Sequence, residues 1–78
     1  MKDLVKYIAT SLVDDLTQVV VTQVVRGSAV SLRLHVAKED MGRVIGRGGK
    51  VANAIRVLLR VAAAQEDKRV SLDVEDPR

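Results

Sequence analysis

Val44-Ile45-Gly46-Arg47-Gly48-Gly49-Lys50 is the stretch that decides how the rest of this 78-residue chain folds. Three of its seven residues are glycine, and each glycine inside a helix costs about 1 kcal/mol relative to alanine, so residues 46–49 are expected to turn. The turn has the form Gly-X-X-Gly, with Arg47 and Gly48 at the variable positions. Such a corner leaves backbone accessible without an intervening Cβ, and a helix that starts just beyond it offers unbonded N–H groups and a positive dipole end to an anion. Arg43, Arg47 and Lys50 bring cations to the same corner.

Working outward, residues 2–16 space Leu4, Val5, Ile8, Leu12 and Leu16 at three and four, which predicts an amphipathic helix. Tyr7 is expected at the edge of its buried face. Residues 17–25 are dense in β-branched side chains and predict a strand covered on much of both faces. Arg26-Gly27-Ser28 breaks the run, and Val30, Leu32, Leu34 and Val36 then alternate with Ser31, Arg33 and His35, so a hairpin with one buried face on its second strand is expected. The acids of Lys38-Glu39-Asp40 favour a helix start, and a short helix is predicted up to Ile45. Past the glycines, Val51, Ile55, Leu58 and Ala62 make one stripe flanked by Ala54 and Leu59, while Asn53, Arg56 and Arg60 share another face. This is the longest predicted helix, ending near Gln65. A polar loop and the alternating Arg69-Val70-Ser71-Leu72-Asp73-Val74 close the chain as a last strand.

The predicted order is α-β-β-α-α-β: an α+β domain spanning residues 1–75, a three-stranded sheet with helices packed on one face, and a short tail at 76–78. Fifteen Val, eight Leu and three Ile supply its core. Net charge is +3, with eight cations and two acids in residues 26–60 and a small acidic excess on either side. A polyanion partner is therefore expected at the middle of the chain. With one aromatic residue, Tyr7, the chain lacks the rings on which many single-strand binders stack bases. Val44, Ile45 and the near side of the following helix are expected to provide a shallow aliphatic groove instead. Without cysteine there is neither disulfide nor thiolate metal site. His35, the only histidine, stands on the polar phase of its strand with no second ligand to share a metal. The N-terminal segment, interrupted by Asp3, Asp14 and Asp15, reads neither as a signal peptide nor as a membrane span, so no membrane is expected and a cytoplasmic setting is the default. Lys50 is followed by Val51, not the Ser or Thr of a P-loop, and no strand leads into the glycines as a dinucleotide fingerprint requires. Asp14-Asp15 and Glu66-Asp67 are adjacent rather than facing, and carry no acid–base assignment.

On these residues the chain resembles a KH domain, the single-strand-binding fold built around Gly-X-X-Gly, matched here by Val44-Ile45-Gly46-Arg47-Gly48-Gly49. The helix-first, strand-last order resembles the type II arrangement, and residues 49–60 are similar to the helix that follows the loop in small stand-alone bacterial members. Ala52 stands where many other KH domains carry a bulky aliphatic. The resemblance implies a non-catalytic binder of single-stranded RNA without a cofactor, acting as an RNA chaperone or post-transcriptional regulator. It implies that Gly46, Arg47, Gly48 and Gly49 clamp the backbone of about four nucleotides, with a strand, taken to be the second of the sheet, walling the groove. Arg43, Lys50, Asn53 and Arg56 are added from charge and helical position alone. As partners it implies a second copy of the chain or a larger KH protein of the Jag type. The rival reading is an interaction module whose main task is pairing, for which the exposed face of the first strand is a candidate surface. Salt-dependent RNA binding by the isolated chain separates the two.

Overall fold

Val30, Leu32 and Leu34 point one way from a single strand and are buried almost completely, which puts that strand, β2 (Ala29–His35), at the centre of the molecule. In the computed structural model, which describes residues 1–75, the sheet order is β1-β2-β3. β1 (Val20–Arg26) pairs antiparallel with β2 through the Gly27-Ser28 turn, and β3 (Arg69–Glu75) pairs parallel with it. Parallel neighbours need a long crossover. It is built from α2 (Met41–Ile45) and α3 (Lys50–Gln65), while α1 (Lys2–Leu12) precedes the sheet. The helices cover one face; the other is polar, with Ser31 opposite Ser71, Arg33 opposite Asp73 and His35 opposite Glu75. The α-β-β-α-α-β order and the three-stranded sheet match the expectation; the tail at 76–78 lies outside the described residues.

Four local differences have physical causes. α1 stops at Leu12 rather than 16, because Asp15 caps a separate 3-10 turn, Leu16–Gln18, by accepting from the Thr17 N–H. The Thr17 hydroxyl, then the Gln18 amide, hold the Asp15 carboxyl below its ordinary value. β1 accordingly begins at Val20, and only Val21 of it is buried, since it is an edge strand largely beyond the cover of the helices. Tyr7 is 72% exposed, opposite the Val5 and Ala9 face of α1. On α3 the buried residues are Ala52, Ile55, Leu59 and Ala63, and Leu58 is outside. Two apolar stripes compete on this helix, and the one containing two alanines lets the backbone lie close to the sheet.

One buried acid joins the two halves. Asp40, 3% exposed, accepts from the backbone N–H groups of Asp14 and Asp15, both at 3.1 Å, and so ties the link between α1 and β1 to the start of α2. Replacing it with alanine strands two donors, at a cost of about 2–3 kcal/mol. Asp40→Ala is expected to lower Tm by on the order of 10 °C, and Asp40→Asn, which keeps one acceptor, by clearly less, as read by thermal melting followed by circular dichroism.

Candidate nucleic-acid interface

α2 is closed by Gly46, whose N–H donates to the Gly42 carbonyl at 2.9 Å and whose backbone adopts φ 74° and ψ 172°. A Cβ built there would stand 2.8 Å from the Val51 backbone nitrogen. Glycine is thus required at this position on two counts, backbone angle and space. A 3-10 turn, Arg47–Gly49, follows, with Gly48 at φ 64° and ψ 21° and Gly49 left-handed at φ 79°. Space is open around Gly48. Three left-handed glycines in four residues turn the chain sharply and present the main chain outward, while Val51 packs beneath.

Arg47, Gly48 and Lys50 are exposed. No acid occupies the first turn of α3 or the 3-10 turn before it, so the positive end of the helix dipole and the two cations add without opposition. Arg43 is placed differently. Its guanidinium pairs with Asp14 and, at 3.5 Å, with Asp40, and the hydrogen bond it donates to the Asp14 carboxylate is the main reason its pKa lies above the ordinary arginine value. Val44 is wholly buried and Ile45 partly so; Val44 therefore supports the loop from the core rather than facing a ligand.

Beyond the loop one flank of α3 continues the surface. The Asn53 amide nitrogen lies 3.8 Å from where a Gly49 Cβ would be. Its carbonyl accepts from Arg56 Nη1 at 3.0 Å, and Arg56 Nε donates to the Leu72 carbonyl of β3 at 3.1 Å. Arg56, Leu59, Arg60, Val70, Ser71 and Leu72 line a cavity of about 170 Å³ between α3 and β3. Gly49, Asn53 and Arg56 thus form one track from glycine loop to cavity. The strand beside that track is β3 and not β2, which is paired on both edges. Arg60, placed from the sequence on the face of Asn53 and Arg56 but not among the site candidates, lines the same cavity; residues 70–72 were not among the candidates, and the signal for them is that a β-α-α-β crossover returns its last strand parallel to the first.

A left-handed glycine corner between two helices, backed by a three-stranded sheet whose last strand runs parallel to the central one, defines a KH-type nucleic-acid-binding fold. The family described as KhpA/KhpB, KH domain, matches residues 2–74. Among curated relatives, the RNA-binding protein KhpA of Clostridium acetobutylicum is 46% identical over 74 residues, covering 95% of this chain and 99% of its own. That of Halalkalibacterium halodurans is 41% identical over 76 residues, 97% of this chain and 100% of the relative, and that of Listeria monocytogenes is 39% identical over 74 residues, 95% and 97%. No solved structure matches. The chain belongs to the KhpA/KhpB family of KH domains.

The geometry sets up a contrast between two glycines four residues apart, Gly42 and Gly46. Gly46→Ala meets Val51 backbone and a left-handed φ, and is expected to destabilise by at least about 2 kcal/mol. Gly42→Ala, in α2 with nothing within 4 Å, should stabilise by about 0.5–1 kcal/mol. Urea titration of both variants checks the opposite signs.

Proposed function

We propose that this protein is a non-catalytic module that binds single-stranded RNA, passing about four nucleotides over Gly46, Arg47, Gly48 and Gly49 and along Lys50, Asn53 and Arg56. Its cellular role, on this reading, is that of an RNA chaperone or post-transcriptional regulator. The observation that carries the reading is continuity: the glycine corner, free of acids, runs without a break into the Asn53–Arg56–Leu72 track. The relatives' names, RNA-binding protein KhpA, point the same way. Among the described residues no helix is long and apolar enough to cross a membrane.

Arg47, Lys50 and Arg60 are the exposed cations along this path. Three phosphates neutralised on a single strand give a log–log salt slope near −2, expected in titrations of a short unstructured RNA; Arg43, held by Asp14 and Asp40, is left out of the count. Replacing Arg47 and Gly48 together by Asp puts two negative charges on the path and touches no core residue. The left-handed Gly48 makes that change cost about 1 kcal/mol. Binding should fall at least tenfold while circular dichroism stays native, and unchanged binding by the folded variant would reduce the loop to a mere turn.

A second reading, pairing, is favoured by one observation. Val57, Leu58 and Val61 are each more than half exposed and contiguous on α3, whereas Val24 and Val25 of β1 are adjacent in sequence and so point to opposite faces. The α3 stripe is therefore the better surface for a second copy or for the larger Jag-type KH protein, KhpB. Static light scattering should show mass rising with concentration, and Leu58→Lys with Val61→Lys should hold the chain at monomer mass without weakening RNA binding.

A further inference from the structure

We propose that an RNA strand leaving the groove is held by a second, separate set of cations, Arg26, Lys68 and Arg69, which take the phosphates of about three further nucleotides at the far end of the sheet. The inference rests on the RNA-binding reading and extends it to a part of the chain that otherwise takes no share in it.

The three cations come from segments that backbone bonds hold together. The Arg69 N–H donates to the Ser28 carbonyl at 2.8 Å, which fixes the start of β3 to the β1-β2 turn, and the Lys68 N–H donates to the Ala63 carbonyl at 2.9 Å, which fixes the same point to the last turn of α3. In register, Arg26, Ala29 and Arg69 stand side by side on neighbouring strands. The two arginine stems therefore leave the polar face of the sheet about 10 Å apart, with only the Ala29 methyl between them. Every ion pair among the described residues belongs to Arg43, so none of the three has a carboxylate partner, although Glu66 and Asp67 lie in the turn just before Lys68. Asp73 and Glu75 stand further along β3, opposite Arg33 and His35. Like charges gathered without a counter-charge repel one another in the free protein, and a polyanion relieves that repulsion.

The way to them is continuous. The cavity that ends the Gly49, Asn53 and Arg56 track shares Arg60 and Val70 with a second one of about 290 Å³, lined also by Ala63, Lys68 and Arg69. This in turn shares Arg69 and Val70 with a third of about 210 Å³, beside Ser31 and Ser71 on the polar face. A strand that follows them bends round the start of β3 and passes from the helix side of the sheet to its open side. The chain's one aromatic residue, Tyr7, is on α1, so no ring stacks bases here. The contact is to phosphate, and it adds affinity without sequence preference. From Gly49 to Ala63 along α3 is about 21 Å, roughly twice the screening length at physiological salt, so the loop and this end of the sheet act on different phosphates.

The test uses the full chain, circular dichroism to confirm folding, and two unstructured uridine-rich RNAs, one of four nucleotides and one of ten. For wild type the log–log salt slope is expected to steepen from near −2 on the shorter strand to near −4 on the longer, as about three more phosphates are neutralised. Arg26→Gln with Arg69→Gln should weaken binding of the longer strand at least about fivefold and bring its slope to near −3, with the shorter strand bound as before. Arg26→Lys with Arg69→Lys, which keeps the charge, should bind both strands as wild type does. Equal slopes on the two strands in wild type overturn the proposal and leave this end of the sheet to an acidic protein partner. So does a folded Gln variant that binds the longer strand undiminished, or a Lys variant that loses as much as the Gln variant. Should the Gln variant fail to fold, the two wild-type slopes and Lys68→Gln decide. Absence of binding to either strand by wild type overturns the RNA reading itself, a result distinct from normal binding of the shorter strand with no steeper slope on the longer.

Discussion

The contact on which this molecule turns is the approach of the Val51 backbone to Gly46, so close that no side chain fits between them. It forces the chain from α2 into α3 within four residues, and in doing so fixes where α3 lies across the sheet and hence which flank of it faces β3. Fold stability and binding surface are not separable here. The glycine that makes the corner tight enough to pack is also what leaves the following main chain bare. Gly48, with open space around it, differs in kind: only its backbone angles call for glycine, and it is the more tolerant position.

Asp40 does a second kind of joining. A chain of this size buries only about 60% of the surface that its unfolded form exposes, so a buried carboxylate is worth keeping only when its bonds are made. Both its oxygens take backbone donors, from Asp14 and Asp15, and Arg43 completes the cluster. That arrangement explains why the cation nearest the loop in sequence, after Arg47 and Lys50, is directed away from it. Charge counted along a sequence overstates the charge available to a ligand whenever an acid distant in sequence has a prior claim.

Features encoded by neighbours in sequence were legible. The glycine corner, the alternation of Val30 to Val36 and the polar loop after Gln65 each declare themselves within ten residues, and the structure has them where expected. The features that were not legible depend on partners far along the chain. Whether Leu58 or Leu59 turns inward is undecidable from a helix with apolar residues on most sides; the sheet chose the stripe with Ala52 and Ala63. The bond from Arg56 to the Leu72 carbonyl needs the crossover to be closed before the two residues are near. Even the end of α1 was hidden, because the Asp15 cap competes with a hydrophobic spacing that continues through Leu16.

α3 presents two unlike flanks, one carrying Asn53, Arg56 and Arg60 toward β3 and another carrying Val57, Leu58 and Val61 to solvent. At 100° per residue the two flanks adjoin where Val57 stands one turn from both Asn53 and Arg60, while Leu58 lies across the cylinder from them. A point change at Leu58 leaves the shape of the polar flank untouched, so the two traits are free to drift independently there during descent, and a lineage can exchange what it associates with while what it reads stays constant.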